Sequence, residues 1–271
     1  MRIWHQSFTV LEDLPAYADR MRDHLRGIVR PDTVVDLHGL MPGTFPANYP
    51  GEDMAFSPLF ALHSAQWMLN ARAAAAQGYD GFAMCTLIDP LYREIKSFAG
   101  IPVMAAGEAS YHVACMLGHR FGLLLFMDRF AARYAEQISL CGLSERYAGA
   151  QQVGFGFKDV LRGFEAPGEL IDRFKVAARK LIASGADVII PGELPLNLLL
   201  ASEKISRVDD VPVIDGFGLT LKMTETMVDL KQSTGLAHSG HGWFNQAASP
   251  ERFDALAKFY FRDEVLSRFN R

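Results

Sequence analysis

The chain has 271 residues, 49% of them hydrophobic and 21% charged, which is enough to bury a core in one large domain or two small ones. Its 27 basic and 31 acidic residues leave a formal charge of -4, which gives no electrostatic reason to expect a nucleic acid or an acidic membrane as partner. The first residues lack an apolar signal core and no apolar run is long enough to span a bilayer, so we expect a cytoplasmic protein. Three cysteines without a CxxC pair fit that compartment and predict no thiolate zinc site.

Apolar runs typical of β-strands alternate with helical segments along the chain. The first strand ends at His5, and further runs lie at 34–37, 81–86, 101–105, 121–126, 188–192 and 211–214. This alternation predicts an α/β fold in which parallel sheets are covered by helices. Asp89-Pro90 is typical of a helix start, and apolar residues at helical spacing predict a last helix within 250–271 that packs back on one lobe.

An internal repeat is the most informative feature of the sequence. A Gly-x-Asp turn, a strand, a helix and an Ile/Val-Pro-Val run occupy 78–103 and recur in the same order at 185–213. The repeat predicts two similar half-molecules, and its ungapped register matches Thr86 with Glu193. Both residues follow a strand and precede a helix. Ligands bind at this end of parallel strands because free N–H groups and the helix dipole attract anionic or carbonyl oxygens.

The order of several motifs resembles the aspartate/glutamate/hydantoin racemase superfamily over most of the chain. The motifs lie at 79–90, 101–109, 118–122 and 185–189. The resemblance implies two pseudo-symmetric flavodoxin-like lobes with parallel sheets and an active site in the cleft between them. It implies a first lobe of 1–116 plus 218–271 and a second lobe of 117–217. It also implies a small-molecule substrate, no cofactor and a homo-oligomer.

The two catalytic positions depart from the pattern of this family. Its racemases use two cysteines, one removing a proton beside a carbonyl and the other returning one on the opposite face. The resemblance aligns these cysteines with Thr86 and Glu193, so both thiols are replaced. A threonine hydroxyl is a poor base but can donate a hydrogen bond to a substrate oxygen. Glu193 can act as general acid or base, especially if burial raises its pKa. We predict Thr86 and Glu193 as the catalytic pair.

Further residues are predicted to bind the substrate. They belong to a polar loop after the first strand, to the end of the second strand, to the positions preceding the catalytic pair and to the glycine-rich stretch 235–242, which corresponds to a loop that closes the pocket in the family. In chain order they are His5, Gln6, Ser7, His38, Cys85, Gly192, His238, Ser239 and His241. Because neighbouring residues of a strand point to opposite faces, Cys85 is also interpreted as a buried structural thiol. Gly107 and Glu108 either offer backbone amides to the pocket or form a simple turn.

The function predicted first is a cofactor-independent racemase or isomerase that transfers a proton beside a carbonyl of a small cyclic amide, hydantoin-like, or of a carboxylate. The alternative is a hydrolase or lyase that cleaves such a compound, with Glu193 activating water. In that case His5, His238 or His241 would assist or hold a metal ion. The histidine spacing matches no known helical metal motif, so no metal site is predicted. A third interpretation is non-catalytic binding of a small ligand in the same cleft.

Overall fold

The computed structural model describes residues 1–46, 51–261 and 267, which form an α/β fold. The described strands are β1 (Arg2–Gln6), β2 (Val34–His38), β3 (Gly81–Met84), β4 (Val103–Ala105), β5 (Phe121–Leu125), β6 (Tyr147–Gln152), β7 (Val188–Pro191), β8 (Arg207–Val208) and β9 (Val211–Pro212). The described α-helices are α1 (Pro15–Arg26), α2 (Gly51–Met54), α3 (Ser57–Ala76), α4 (Tyr92–Phe98), α5 (Ala106–Leu117), α6 (Ala131–Leu140), α7 (Phe157–Gly163), α8 (Gly168–Ala183), α9 (Leu194–Ser202), α10 (Gly216–Thr234) and α11 (Pro250–Tyr260).

Sheet A contains the first four strands in the order β2-β1-β3-β4, and all of its neighbouring strands run parallel. Gln6 lies opposite both His38 and Met84, and Met84 lies opposite Ala105. Since these residues end their strands, the carboxyl ends of sheet A meet at one edge. The loops that follow this edge are therefore brought together by the register of the sheet.

Sheet B repeats this arrangement in the second half of the chain. Its order is β6-β5-β7, all parallel, and a single bridge between Ile189 and Val213 adds a fourth segment beside β7. Both sheets thus run in the order second, first, third, fourth, which is the flavodoxin-like order. The short strands β8 and β9 form a separate antiparallel pair. The predicted α/β class with parallel sheets is confirmed.

Helices cover both faces of sheet A. On one face, Gln6 Oε1 accepts a hydrogen bond from Asn70 of α3 at 2.7 Å. On the other face α10 lies against β3 and β4, and a Cβ at Gly81 would lie 2.6 Å from Thr224 Cγ2 of α10. Glycine is therefore required at this contact. The packing of α10 on sheet A supports a first lobe that includes the C-terminal helices. The lobe bounds 1–116 plus 218–271 and 117–217 stay a prediction.

The C-terminal helix α11 packs against α3 and α4. Phe253 stacks on Phe98 with ring centroids 4.8 Å apart, and Asp254 forms an ion pair with Arg72 at 3.1 Å. The remainder of the predicted terminal segment, 262–266 and 268–271, lies outside the described residues. Among the helices that the structure describes, none combines the length and hydropathy needed to cross a bilayer.

The predicted helix start at Asp89-Pro90 is wrong. Asp89 and Leu91 have φ angles of 43° and 52°, in the left-handed region that a right-handed helix does not contain. Helix α4 consequently begins at Tyr92. The carboxylate of Asp89 instead accepts hydrogen bonds from the first turn of α5.

Candidate active site

A cavity of ≈ 60 Å³ lies where the carboxyl ends of β1, β3 and β7 approach one another. Residues of both halves of the chain line it, together with Phe217 at the start of α10. Its apolar wall includes Phe8, Phe126 and Phe157. The polar side chains that line it are Ser7, Thr9, Tyr17, Cys85, Thr86, Tyr134 and Glu193. The cavity is thus mainly apolar, with a few polar groups from separate elements, as is typical of small-molecule sites.

Glu193 is buried in this cavity, with 7% of its surface exposed. It stands at the N-cap position of α9, but its carboxylate makes no hydrogen bond to the amides of that helix. The two carboxylate oxygens instead accept hydrogen bonds from the backbone N–H groups of Phe126 at 3.0 Å and Met127 at 3.2 Å, directly after β5. Burial raises the pKa of Glu193 to about 8, and these two hydrogen bonds oppose that rise. The carboxyl group therefore titrates near pH 8, well above the ordinary range of a glutamate.

Thr86 occupies the corresponding place in the first half. It lies two residues beyond the end of β3, as Glu193 lies two residues beyond the end of β7, and both line the same cavity. Its side chain is half-buried. The register of the sequence repeat therefore agrees with the position of both residues in the fold.

Cys85 also lines the cavity, next to Thr86. The prediction that the two side chains point to opposite faces is wrong, because β3 ends at Met84 and the alternation of a strand does not extend beyond it. Cys85 is only 3% exposed, and burial raises the pKa of its thiol well above the ordinary value. The sulfur is therefore a neutral thiol at the wall of the cavity, where it can donate a weak hydrogen bond but is a poor nucleophile.

Of the polar residues that end β1, only Ser7 lines the cavity. Its hydroxyl lies 2.7 Å from that of Thr9, which lines the cavity as well. The predictions for Gln6 and His5 are corrected. The side-chain amide of Gln6 is used inside sheet A, where its oxygen accepts hydrogen bonds from Trp4 Nε1 at 2.9 Å and from Asn70.

His5 lies one layer beneath the cavity. Its fully buried ring packs on Phe217 with centroids 6.0 Å apart, and neither ring nitrogen has a hydrogen-bond partner among the described residues. Burial, helped by nearby His38, lowers the pKa of His5 to about 3. The ring is consequently neutral and separated from the cavity by the phenyl group of Phe217.

The prediction for His38 is also corrected. His38 ends the edge strand β2 and stacks on Trp4 with ring centroids 3.4 Å apart and an interplanar angle of 8°. Its Nδ1 lies 3.1 Å from the carbonyl oxygen of Asp36, and burial lowers its pKa to about 4. It is a packing residue of sheet A and does not line the cavity.

The glycine-rich stretch 235–242 lies elsewhere, which corrects the prediction that it closes the pocket. His238 Nε2 accepts a hydrogen bond from the backbone N–H of Val103, the first residue of β4, at 3.1 Å. The loop therefore lies at the amino end of sheet A, opposite the edge that carries Thr86. His238 and Ser239 line a separate cavity of ≈ 300 Å³ there, and His241 is exposed.

The residues expected to serve as metal ligands do not converge. Within residues 1–46, 51–261 and 267, no group of three or more His, Cys, Asp or Glu side chains is arranged to hold a metal ion. His5 is beneath the cavity and His238 lies at the other end of the sheet. In the part of the chain that the structure describes, the metal-assisted alternative therefore lacks a ligand set around Glu193.

Several features of the site were not predicted, among them the Phe126 and Met127 amides that hold Glu193. Tyr17 of α1 and Thr9 bring hydroxyl groups to the cavity, and no sequence pattern marks them because their approach depends on how α1 packs. A further feature is Asp89, whose carboxylate accepts the N–H groups of Gly107 and Glu108, both at 2.8 Å. These amides of α5 are therefore occupied by Asp89 and are not offered to the pocket.

A larger cavity adjoins the first one. It has a volume of ≈ 640 Å³ and shares Met54 and Phe130 with the smaller cavity. Arg129, Arg133 and Glu136 contribute its charged groups. The two cavities together offer a substrate much more volume than the ≈ 60 Å³ beside Thr86 and Glu193.

Comparison with known proteins assigns the family. The family model described as Asp/Glu/Hydantoin racemase matches residues 17–224. A hydantoin racemase of Pseudomonas sp. (strain NS671) is 25% identical over 158 residues, which are 58% of this chain and 62%, or less than two thirds, of that relative. A hydantoin racemase of Paenarthrobacter aurescens is 22% identical over 83% of this chain and 91% of the relative.

The fold agrees with this assignment. The structure of an allantoin racemase from Klebsiella pneumoniae superimposes with a TM-score of 0.74 and 23% identity, covering 92% of this chain and 94% of that one. At this identity the likeness establishes the shared fold. Since the family model spans well over half of its length, the chain belongs to the Asp/Glu/hydantoin racemase family.

Proposed function

We propose that this protein is a cofactor-independent isomerase that moves a proton at a carbon beside a carbonyl group of a small cyclic amide or carboxylate. The observation that carries the proposal is the buried carboxyl of Glu193 in the cavity between the two halves, with its pKa raised to about 8. A group that titrates near the working pH is suited to both taking and giving a proton.

Glu193 is the proton-transfer residue of this proposal. The N–H groups of Phe126 and Met127 hold its two oxygens, which fixes the orientation of the carboxyl group and supports its ionised form. Burial supports the protonated form. Because the two influences oppose each other, both forms are populated near pH 8, and the same group can act as base in one step and as acid in the next. Since one carboxyl group faces one side of the reacting carbon, inversion requires the planar intermediate to turn over in the cavity between the two steps.

Thr86 is the carbonyl-binding residue. Its half-buried hydroxyl lines the cavity at the position corresponding to Glu193, and the thiol of Cys85 and the hydroxyls of Ser7 and Tyr17 line the same space. Hydrogen-bond donors around a carbonyl oxygen stabilise the negative charge that develops when the neighbouring carbon loses a proton. We propose that Thr86 and Glu193 replace the two catalytic thiols of the family, so that one carboxyl group carries the proton chemistry.

The relatives support a proposal for the substrate class. Hydantoin racemases and an allantoin racemase are similar to this chain. We therefore propose a hydantoin-like ring, whose reacting carbon lies at Glu193 and whose substituent extends toward the adjoining cavity of ≈ 640 Å³. A cytoplasmic location and a homo-oligomeric state remain predictions of the sequence.

A panel of single-enantiomer hydantoins, lactams and dicarboxylic acids in D2O tests the proposal. We expect loss of optical rotation together with deuterium at the carbon beside the carbonyl, both observed by polarimetry and NMR without ring opening. Ring opening without exchange at that carbon would contradict the isomerase and support the hydrolase or lyase alternative. Tight binding of a panel compound with neither reaction would instead support a non-catalytic binding protein.

A further inference from the structure

Helix α6 connects the two loops that carry the proposed catalytic residues. Tyr134 and Gln137 lie three residues apart on α6 and therefore share a face. Both are buried, with 1% and 7% of their surfaces exposed. The Tyr134 hydroxyl donates a hydrogen bond to the carbonyl oxygen of Gly192 at 2.5 Å, and Gln137 Nε2 donates to the carbonyl oxygen of Leu87 at 2.9 Å.

Each accepting carbonyl belongs to a neighbour of a proposed catalytic residue. Gly192 directly precedes Glu193, and Leu87 directly follows Thr86. The Gln137 contact crosses between the two repeats, since α6 follows β5 whereas Leu87 follows β3. One rigid helix thus holds the backbone beside Thr86 and the backbone beside Glu193.

The junction around Gln137 is tightly packed. Its Nε2 also donates to Asp89 Oδ2 at 2.6 Å, and Asp89 accepts the first-turn amides of α5. A Cβ at Gly107 would lie 2.2 Å from the Leu87 oxygen and 2.3 Å from Gln137 Nε2. Backbone and amide groups are in contact here, so the loop that carries Thr86 has little room to move independently of α6.

We propose that Tyr134 and Gln137 are positioning residues that fix the separation and orientation of Thr86 and Glu193 through α6. Tyr134 also lines the cavity, but its hydroxyl donates to the carbonyl oxygen of Gly192, and Gln137 donates to the backbone of the other catalytic loop. The catalytic consequence rests on the proposed function, whereas the restraint on the loops does not. A displacement of reacting groups by about 1 Å is enough to lower a rate by roughly a hundredfold.

The test compares Tyr134→Phe, which removes one hydrogen bond, with Gln137→Met, which removes the two that Nε2 donates to Leu87 and Asp89; both retain most of the side-chain volume. Ser139→Ala is the matched control, because it removes an exposed hydroxyl from the same helix. Hydrogen exchange read by mass spectrometry needs no substrate. Tyr134→Phe should speed exchange about tenfold in 190–194, and Gln137→Met should do so in 85–89, with the rest of the chain unchanged.

The kinetic arm uses whichever panel compound the protein converts. We expect kcat to fall roughly ten- to a hundredfold in both variants with KM nearly unchanged. The apparent pKa of the rate should shift only in Tyr134→Phe, because Gly192 adjoins Glu193. Unchanged exchange in both loops, uniformly faster exchange over the whole chain, or kcat values equal to that of Ser139→Ala would each overturn the proposal. Loop-specific exchange without conversion of any compound would support the restraint and count against the proposed function alone.

Discussion

Two buried carboxyl groups, Glu193 and Asp89, follow corresponding strands, but one lines the cavity and the other holds the start of a helix. Each accepts two backbone N–H groups, and burial raises the pKa of each to about 8. Glu193 takes its amides from the loop after β5 and lines the cavity, whereas Asp89 takes them from the first turn of α5 and does not. A raised pKa is therefore insufficient to identify a catalytic group.

The difference follows from their places in the two loops. Glu193 is the second residue after β7, where Thr86 stands after β3, while Asp89 comes three residues later and has a left-handed backbone. The second residue after a strand still lies at the edge where the sheets meet. By the fifth residue the chain has turned, so the carboxylate of Asp89 reaches a neighbouring helix. The position of a carboxyl group in the fold therefore decides whether it can contact a substrate.

The largest expected effect is on activity when Glu193 loses its charge. Glu193→Gln keeps the shape of the side chain but cannot exchange a proton, so kcat should fall by about 10²–10⁴. Initial rates of deuterium exchange measure this loss, with circular dichroism to establish that the variant is folded. If the variant turned over at the rate of the unaltered protein, the role proposed for Glu193 would be wrong.

Thr86 should matter less than Glu193. Thr86→Val removes the hydroxyl and retains the branched shape, and we expect kcat/KM to fall roughly ten- to a hundredfold through loss of one donor to the carbonyl oxygen. Thr86→Ser keeps the hydroxyl and should retain most of the activity. Steady-state kinetics on both variants separates these outcomes. Equal losses in the two variants would show that the hydroxyl is no more important than the methyl group, which would contradict the proposed hydrogen bond to the carbonyl oxygen.

Asp89 is expected to affect stability. In Asp89→Asn an amide NH2 replaces one acceptor, so the N–H of Gly107 or Glu108 loses its partner at an estimated cost of about 1–3 kcal/mol. Urea unfolding measures the change. Asp23→Asn, at an exposed ion pair with Arg26, is the matched control and should differ little from the original protein. A stable Asp89→Asn protein with lost activity would reverse the contrast between the two carboxyls.

The two raised pKa values also predict a pH dependence of stability. Their folded-state values near 8 exceed the ordinary 4.5 of Glu193 and 3.8 of Asp89, so protonation favours the folded state. The stabilisation is complete below those ordinary values and is lost as the pH rises through about 8. Tm should therefore fall by roughly ten degrees or more between about pH 5 and pH 9. Thermal scans of Glu193→Gln should show a smaller fall, and an unchanged slope would contradict the raised pKa of Glu193.

The smallest effect is expected at His238. His238→Ala removes the acceptor for the N–H of Val103, with an expected cost of about 1 kcal/mol, and should leave kcat and KM unchanged. Kinetics and thermal unfolding on the same sample measure both quantities. A loss of activity out of proportion to the loss of stability would place the glycine-rich loop at the active site after all.

Much of the fold was predictable from the sequence because its signals are local and periodic. Alternating apolar runs predicted the α/β class and most of the strands, although not β6, whose polar sequence lacks such a run, and the repeat of 78–103 at 185–213 matched Thr86 with Glu193. The strand order of sheets A and B agrees with that repeat. The match succeeds because the position of a residue after a parallel strand depends mainly on the number of residues from the strand end.

The tertiary structure decided in which direction each side chain points and which groups it contacts. His5 and Gln6 adjoin Ser7 in sequence, yet one lies under Phe217 and the other bonds to Asn70 of α3. Tyr17, Asp89, Tyr134 and Gln137 acquire their partners only when helices pack across the two sheets. Such contacts join residues many positions apart, so the sequence determined the two strand ends, and the packing of the helices determined which groups surround them.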